Sequence, residues 1–271
     1  MAETPTHRTL REVRGWILDM DGVLYRDTEP IPGAAEFIDH LRHEATPFAC
    51  LTNNSTLTSE QYSRKLANMG IHVPASQVLT SGPATAAFIR SESGPGTPVL
   101  AIGEDGVMQA LREAELHLTQ DYRQARYVVV GLDRQITYDK LRAAGLAIRN
   151  GARFIGTNPD RTLPVPEGLV PGNGAFLAAL EAATDVAPFI IGKPEPPIFH
   201  WALAHLGLKP EDTACVGDRL ETDVLGGKRV GLYTVFVLSG VSTAEQLSHF
   251  QPGPDAVFPS LAELLLAWKK R

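Results

Sequence analysis

The sequence predicts an α/β protein in which one α/β unit is inserted into another. Four apolar runs each end in polar residues, as strands do at the carboxyl edge of an open parallel sheet, where ligands bind. Between the second and third of these runs lies a further series of alternating strand and helix patterns, long enough for a domain. We therefore expect a discontinuous core, residues 1–80 and 187–271, and an inserted domain, residues 81–186. In the alternative, a single continuous sheet, two of the polar endings would lie far from the other two.

Apolar periodicity, together with the residues that begin and end helices, predicts the elements of the core. Pro32 begins the first predicted helix, and Gly70 ends the second. The chain is predicted to leave the core near Ser81-Gly82-Pro83 and to return near Ala187. The predicted strands are 16–18, 48–51, 78–79, 190–191, 214–217 and 233–237, and the predicted helices are 32–45, 59–69, 196–206, 222–229 and 261–269.

The inserted segment repeats the alternation of strands and helices. Its predicted strands are 98–102, 126–130 and 153–156, and its predicted helices are 105–114, 138–149 and 174–183. The longest stretch predicted to be irregular is the proline-rich segment 157–171. A loop of that length in a compact domain is usually functional or disordered.

Composition and charge narrow the class of protein. The chain has 271 residues, of which 44% are hydrophobic and 21% charged, as in an ordinary soluble globular protein. The net charge of −6 argues against nucleic acid or a membrane surface as a partner. No apolar run reaches the ~20 residues that span a bilayer, and the N-terminus lacks the apolar centre of a signal peptide. Cys50 and Cys215 lie in apolar strands and are interpreted as small hydrophobic residues, so we expect a cytoplasmic protein.

The first polar ending is Asp19-Met20-Asp21-Gly22, directly after the apolar run 16–18. Uncompensated carboxylates at the end of a buried strand are costly, and a cation, or an anionic substrate held by a cation, would justify them. Gly22 allows a sharp turn and a close approach to a ligand. The alternative is an ordinary turn at the end of a strand.

The other three endings complete a set of strand-end motifs. Thr52, Asn53 and Asn54 follow the second run and can donate hydrogen bonds to an anion, or alternatively form an Asx-turn that caps the next helix. Lys193 ends the third run and supplies a positive charge, unless it is a surface lysine. Asp218 ends the fourth run, with Asp223 five residues further on. Asp223 is alternatively an acid favoured by a helix dipole.

In order and character, these four segments resemble the motifs of the haloacid dehalogenase (HAD) superfamily over nearly the whole chain. The Leu-Thr-Asn-Asn-Ser segment, the Gly-Lys-Pro ending, the Gly-Asp-Arg-Leu-Glu-Thr-Asp block and Leu238-Ser239-Gly240-Val241 resemble the NagD-type phosphatases more narrowly. The resemblance implies a Rossmann-like core with an inserted α/β cap domain. It also implies a Mg²⁺-dependent phosphomonoesterase that acts on small phosphorylated metabolites, such as sugar, glycerol, glycolate, pyridoxal or aryl phosphates, through an aspartyl-phosphate.

The resemblance also implies a role for each motif residue. Asp19 is the nucleophile and Asp21 the general acid and base, a pairing that favours phosphoryl chemistry over dehalogenation. The implied metal ligands are the Asp19 carboxylate, the Asp21 backbone carbonyl and the Asp218 carboxylate, and Asp223 orients metal-bound waters or Lys193. The residues implied to bind the phosphate are Gly22, Thr52, Asn53, Asn54 and Lys193.

Substrate choice is expected to depend on the inserted domain, because the strand ends of the core hold only the phosphoryl group. Asn158, Asp160 and Arg161, in the long loop, are predicted to recognise the rest of the substrate, since hydrogen bonds discriminate more sharply than apolar contacts. Alternatively, these residues merely cap and turn the loop. The expected partner is a small-molecule phosphate monoester, with a homodimer through the cap as a further expectation.

Two other motif-like segments do not support a different chemistry. Gly172-Asn173-Gly174 begins a predicted helix like a dinucleotide fingerprint, but Leu177 occupies the third glycine position. His200 and His205 are five residues apart, off a single helical face, and are interpreted as helix residues rather than zinc ligands. The rival functions are a phosphotransferase or mutase of the same superfamily, and a regulatory protein that binds a phosphorylated metabolite with little turnover.

Overall fold

The structure is a computed structural model that describes residues 9–165 and 167–270. The described residues form two compact units. The first comprises the chain up to Leu51 with Ser63–Val78 and the residues from Phe199 onward, and the second comprises Thr52–Tyr62 and Leu79–Ile198. The first boundary lies close to the predicted one, whereas the second lies at residue 198 rather than 186, and the segment 52–62 was predicted to belong to the core.

Strands and helices alternate along most of the described chain. The strands are β1 (Gly15–Leu18), β2 (Tyr25–Arg26), β3 (Glu29–Pro30), β4 (Phe48–Thr52), β5 (Val78–Thr80), β6 (Pro98–Ile102), β7 (His117–Leu118), β8 (Tyr127–Val130), β9 (Arg153–Gly156), β10 (Thr162–Val165), β11 (Gly168–Pro171), β12 (Phe189–Ile190), β13 (Thr213–Gly217), β14 (Tyr233–Val237) and β15 (Ala256–Phe258). The α-helices are α1 (Ala34–His43), α2 (Ser59–Asn68), α3 (Ser81–Ser93), α4 (Asp105–Glu113), α5 (Tyr138–Arg149), α6 (Asn173–Thr184), α7 (Pro196–Leu206), α8 (Leu225–Val230), α9 (Ala244–His249) and α10 (Leu261–Lys269).

The first sheet has six strands in the order β15-β14-β13-β1-β4-β5. In β1, Leu18 is level with Val216 of β13 and Cys50 of β4, both in parallel register. The residues that follow β1 and β13 therefore leave the sheet side by side. All four residues of β1 are buried, as expected for a parallel strand covered on both faces.

The interpretation of the two cysteines as small hydrophobic residues is confirmed. Cys50 and Cys215 are buried and form no disulfide. Burial raises the pKa of the Cys50 thiol, so it stays protonated. Neither cysteine has the properties of a catalytic thiol.

The second sheet has five strands in the order β12-β9-β8-β6-β7. The prediction that the lysine strand returns to the core sheet is wrong, because β12 pairs with β9, with Phe189 beside Ile155 and Ile190 beside Gly156. The chain runs from β9 through α6 to β12, and such a β-α-β crossover returns a strand to a place parallel and adjacent to its predecessor. Lys193, which follows β12, therefore belongs to the second unit.

The segment after β4 is bound to this second unit by several hydrogen bonds. Gly106 N donates to Thr56 O at 3.1 Å, and the hydroxyls of Ser55 and Thr157 lie 3.3 Å apart. A Cβ at Gly106 would overlap with the carbonyl of Leu57, so only glycine fits there. These contacts explain why the segment 52–62 groups with the second unit.

Two further differences between the predicted and the observed secondary structure lie in segments where proline and glycine suggested irregular structure. The predicted break at Ser81-Gly82-Pro83 is the start of α3, because proline is tolerated in the first turn of a helix, where the amides have no intrahelical acceptor. Segment 157–171, predicted to be irregular, contains the antiparallel pair β10 and β11. The short strands β2, β3, β7 and β15 and the helix α9 were also not predicted. Within the described part of the chain, no helix has the length and apolar character needed to cross a membrane.

Candidate active site

The carboxyl edge of the first sheet carries a compact group of acids. Asp19 follows β1, Asp218 follows β13, and Asp223 lies in the wide helical turn Leu220–Val224. One carboxylate oxygen from each residue lies within 4.8 Å of those of the other two, and all three residues are buried. Three like charges at this separation repel one another strongly in a buried site.

The two carboxylate oxygens of Asp218 differ in their surroundings. Its Oδ2 accepts a 2.6 Å hydrogen bond from Val241 N, whereas its Oδ1 is buried without a hydrogen-bond partner among the described residues. Burial, then the neighbouring Asp19 and Asp223, raise the pKa of Asp218 to about 8. A buried carboxylate oxygen beside two other acids has the chemistry of a hard-cation ligand set, so the residues present fit a divalent metal such as Mg²⁺.

Asp223 has contacts that fit both interpretations of its role. Its Oδ2 accepts hydrogen bonds from Arg219 N at 3.2 Å and from the Thr222 hydroxyl at 3.3 Å. It therefore accepts backbone and hydroxyl donors in the first turn of the helical segment, as the alternative proposed. The same carboxylate also lies in the acidic group.

Asp21 and Gly22 form the turn by which the chain leaves β1. Leu24 N donates to Met20 O at 2.8 Å, so the alternative of a strand-end turn describes the backbone correctly. Gly22 has φ +82°, and a Cβ there would overlap with the Asp218 carboxylate, so the turn and the acidic group depend on each other. The Asp21 side chain is accessible to solvent, yet partial burial raises the pKa of its carboxyl group against the opposing effects of Lys65 and Arg219.

The loop after β14 also contributes to this edge, although no role was predicted for it. The Ser239 hydroxyl donates to Gly22 O at 2.8 Å, and Arg26 Nη2 donates to Ser239 O at 2.5 Å. A Cβ at Gly240 would overlap with the Asp218 carboxylate. The signal was present in the sequence, since Leu238-Ser239-Gly240-Val241 follows an apolar strand like the other motifs.

The polar residues after β4 form tight local turns. Asn54 Oδ1 accepts hydrogen bonds from the Thr56 backbone N–H at 3.0 Å and from the Thr56 hydroxyl at 2.7 Å, and Asn54 N donates to the Thr52 hydroxyl at 3.1 Å. The Asx-turn alternative is therefore present at Asn54. The cap of α2 is a different residue, Thr58, whose hydroxyl accepts from Gln61 N at 3.2 Å.

Asn53 is joined to the backbone of Lys193 on both sides. Its Oδ1 accepts from Lys193 N at 2.7 Å, and its Nδ2 donates to Lys193 O at 2.9 Å. Nδ2 also lies 3.3 Å from both carboxylate oxygens of Asp160. The Asn53 side-chain amide is therefore engaged by protein groups, and phosphate binding by Asn53 stays a prediction. Lys193 is only 3% exposed, which excludes the alternative of a surface lysine.

The three residues predicted to recognise the substrate differ in their surroundings. Asn158 is 3% exposed, and its amide donates to Asn53 O at 2.8 Å and accepts from Asp160 N at 3.2 Å. The buried amide therefore bonds the protein backbone, as in the alternative that this residue turns the loop. Asp160 is half-buried and Arg161 is exposed.

The predicted site residues thus fall into two groups, each described within its own unit. The first unit contains Asp19, Asp21, Gly22, Asp218 and Asp223, and the second contains Thr52, Asn53, Asn54, Asn158, Asp160, Arg161 and Lys193. The first group can bind a cation and act as nucleophile, acid and base. The second group supplies a buried lysine held by amide hydrogen bonds.

Family models and relatives show which family the chain belongs to. A family model described as haloacid dehalogenase-like hydrolase matches residues 16–117, and a HAD-hydrolase-like model matches residues 190–264. The acid sugar phosphatase of Staphylococcus aureus is 43% identical over 96% of this chain and 100% of its own length. The structure of 4-nitrophenylphosphatase from Thermotoga maritima is 38% identical, with a TM-score of 0.90 over 96% of this chain and 98% of that one. NagD from Escherichia coli K-12 is 36% identical, with a TM-score of 0.87 over 93% and 98%.

An acidic group at the carboxyl edge of a parallel sheet, with a second α/β domain inserted into the chain, is the arrangement of a hydrolase of the HAD type. The chain belongs to the haloacid dehalogenase superfamily and, within it, is a NagD-type phosphatase. The fold class and the enzyme class predicted from the sequence are thereby confirmed.

Proposed function

We propose that this phosphatase hydrolyses small phosphorylated metabolites with the help of Mg²⁺ and through a phosphoryl group carried by Asp19. The observation that carries the proposal is the buried group Asp19, Asp218 and Asp223, in which Asp218 Oδ1 has no hydrogen-bond partner among the described residues. Such a group is stable only with a compensating positive charge. A phosphate ester held by a cation is a substrate that meets this requirement.

The carboxylates of Asp19 and Asp218 and the backbone carbonyl of Asp21 would hold the metal. Mg²⁺ prefers oxygen ligands and keeps several waters, and Asp223 orients such waters. When bound, the ion reduces the repulsion between a carboxylate and the phosphate dianion.

The proposed reaction has two steps. An Asp19 carboxylate oxygen attacks phosphorus, the bond between phosphorus and the ester oxygen breaks, and the leaving oxygen takes the Asp21 proton. The Asp21 carboxylate then removes a proton from water, whose oxygen attacks the same phosphorus and releases inorganic phosphate from Asp19. The raised pKa of Asp21 supports its role as the acid of the first step.

Within the second group of residues, we propose that Lys193, Thr52 and nearby backbone N–H groups bind the phosphoryl group, and that Asp160 and Arg161 select the substrate. Lys193 supplies positive charge, and Thr52 with the backbone N–H groups of residues 52–54 supplies hydrogen-bond donors. Sugar phosphates and aryl phosphates are the proposed substrates, supported by the similarity to an acid sugar phosphatase and to a 4-nitrophenylphosphatase. Glycerol, glycolate and pyridoxal phosphates remain predicted substrates. A cytoplasmic location and a homodimer through the cap remain predictions as well.

The experiment is a turnover assay combined with rapid-quench labelling. We expect Asp19→Asn to lower kcat by about 10⁴-fold or more, as expected when a nucleophile is removed. Asp21→Asn is expected to slow both steps but to leave some phosphorylation of Asp19. Peptide mapping after labelling with a radioactive phosphate ester is expected to locate the phosphoryl group on Asp19.

A matched control is Asp39→Asn, which removes an exposed carboxylate of α1 and is expected to leave turnover within about twofold of wild type. Label on any residue other than Asp19 would contradict the proposed nucleophile. Transfer of the phosphoryl group to an added alcohol in preference to water would favour the rival phosphotransferase. Binding of phosphate esters without turnover by the wild-type protein would favour the rival regulatory protein.

A further inference from the structure

Three asparagines of the second unit form a directional series of hydrogen bonds that ends at Lys193. Asn173 Nδ2 donates to Asn158 O at 2.8 Å, and Asn158 Nδ2 donates to Asn53 O at 2.8 Å. Asn53 Nδ2 in turn donates to Lys193 O at 2.9 Å. The three side chains are 1%, 3% and 7% exposed, so water competes little for these bonds. We call this series the asparagine relay.

At its last member, the relay fixes the position of the Lys193 backbone. Asn53 bonds both the N–H and the carbonyl of Lys193, which fixes the peptide units on either side of that residue. Gly192 N donates to Thr157 O at 2.9 Å, and a Cβ at Gly192 would meet that carbonyl and the Asn53 amide. The backbone of Lys193 therefore depends on the place of Asn53.

At the other end, the relay begins in the segment Gly172-Asn173-Gly174. Asn173 is the first residue of α6, and its Nδ2 also lies 3.1 Å from Val130 O at the end of β8. Gly174 N donates to Asp160 O at 2.8 Å, and Gly172 N donates to Arg161 O at 2.9 Å. The segment that resembled an incomplete dinucleotide fingerprint instead holds the loop 158–161 against the start of α6.

The strand and the helix at the beginning of the relay, β8 and α6, pack against the same hydrophobic cluster. Val130 and Leu177, at the end of β8 and in the second turn of α6, both belong to the buried hydrophobic cluster of this unit. A side chain held between a strand end and a helix start on such a cluster moves little. Asn173 is therefore held in a fixed position. The side-chain amides of Asn158 and Asn53 extend this constraint to the backbone of Lys193.

We propose that Asn173 and Asn158 are positioning residues, which act through Asn53 to hold Lys193 for its part in phosphoryl transfer. This inference rests on the phosphate-binding role proposed for Lys193 above. A displacement of about 1 Å of a group that binds the reacting atoms can cost about 10²-fold in rate. Loss of a relay donor is expected to act in this way without removing any group that contacts the phosphoryl.

The test compares Asn173→Ala, Asn158→Ala and Lys193→Ala with a matched control in the same unit. The control is Thr97→Val, which removes a buried hydroxyl that bonds two backbone carbonyls, those of Ser93 and Gly94. We expect the two asparagine variants to lose about 10- to 100-fold in kcat/KM for 4-nitrophenyl phosphate. The control is expected to lose thermal stability to a similar degree and to stay within about twofold of wild type in kcat/KM.

A double-mutant cycle then separates positioning from general loss of structure. The affinity for inorganic phosphate, in the presence of Mg²⁺, is measured by calorimetry so that the cycle does not depend on turnover. In the Lys193→Ala background, adding Asn173→Ala is expected to change this affinity by less than about twofold, because both changes act through the same residue. If Asn173→Ala does not fold, Asn173→Ser, which keeps a short donor, takes its place and is expected to retain more activity than Asn158→Ala.

The outcomes distinguish this inference from the proposed function. If the wild-type protein releases no phosphate from any ester, the proposed function fails. If the wild type is active and Lys193→Ala is not, but the asparagine variants match Thr97→Val, the relay inference is overturned while the proposed function stands. Equal effects of Asn173→Ala with and without Lys193 would likewise overturn it.

Discussion

The two units of the chain are both parallel α/β sheets, but their carboxyl edges carry opposite chemistry. The edge of the first sheet brings together Asp19, Asp218 and Asp223, and a buried oxygen of Asp218 has no hydrogen-bond partner among the described residues. At the edge of the second sheet, the Nδ2 of Asn158 and that of Asn53, a residue that follows β4 of the first sheet, each donates to a backbone carbonyl. The first edge thus carries buried carboxylates close together, whereas the second carries buried amides that donate to the backbone.

The difference indicates what each edge requires from outside the protein. Buried carboxylates that lie close together favour a cation, and the metal proposed for the first edge would meet that preference. Buried amides that bond the backbone of a neighbouring segment rigidify their surroundings. We therefore expect the first edge to contribute the reacting groups and the second edge to fix the position of Lys193.

The largest expected effect tests the charge of the first edge. We expect Asp218→Asn to lower kcat by about 10³-fold or more and to remove the rise in melting temperature that Mg²⁺ gives the wild-type protein. In the presence of a chelator, the same variant is expected to unfold at a higher temperature than wild type, because repulsion from Asp19 and Asp223 is reduced. Calorimetric melting with and without Mg²⁺ measures both stability effects.

The control for this prediction is a buried acid of the second unit that already forms an ion pair with a lysine. Asp133 is 3% exposed, and its Oδ2 accepts a 2.7 Å hydrogen bond from Lys140 Nζ. Asp133→Asn is expected to lower stability and to leave the response to Mg²⁺ unchanged. An equal rise in melting temperature with Mg²⁺ in the Asp218→Asn protein would show that the ion binds elsewhere.

The next effect tests whether the loop beside the second edge selects the substrate. Arg161 is exposed, so Arg161→Ala is expected to lower kcat/KM for a sugar phosphate by about 10-fold and for 4-nitrophenyl phosphate by less than twofold. Asp160 faces the Asn53 amide, so Asp160→Ala is expected to lower both values alike. Steady-state kinetics on the two substrates measure the ratio. Unchanged ratios for both variants would exclude this loop from substrate choice.

The smallest effect concerns stability against pH in the second unit. Hydrogen bonds from Arg134 hold the pKa of Glu104 below its usual range. A lowered pKa means that the contribution to stability is present above the ordinary value of 4.5 and is lost as pH falls through the folded value. Glu104→Gln is expected to cost less than about 1 kcal/mol at pH 7 and less at pH 3 than at pH 7.

Urea unfolding at the two pH values measures this difference. Asp255→Asn in the first unit is a matched comparison, since hydrogen bonds from Lys228 and Thr234 lower the pKa of Asp255 against the effect of burial. The two variants are expected to show the same sign of pH dependence. A cost for Glu104→Gln that grows toward low pH would contradict the assignment.

Local pattern was sufficient to predict where most strands end and which polar residues follow them. β1 and β13 end where the apolar runs predicted, and β4 ends one residue later, because a strand covered on both faces is apolar and polar residues follow it. The acids of the first edge could therefore be named from the sequence. The loop around Ser239 and Gly240 was equally visible, but its contact with Gly22 depends on residues more than 200 positions away.

The sequence by itself determined the α/β class, the acidic motifs and the family, since each depends on short stretches of residues. Only the tertiary structure decided that β12 pairs with β9, that the Asn158 amide is buried, and that Asn53 holds the backbone of Lys193. Asn53 and Lys193 are 140 residues apart along the chain. Periodicity describes only near neighbours, so a side-chain amide that will bond a backbone looks the same in sequence as one that will bind phosphate. The choice between the two is made by which elements pack together.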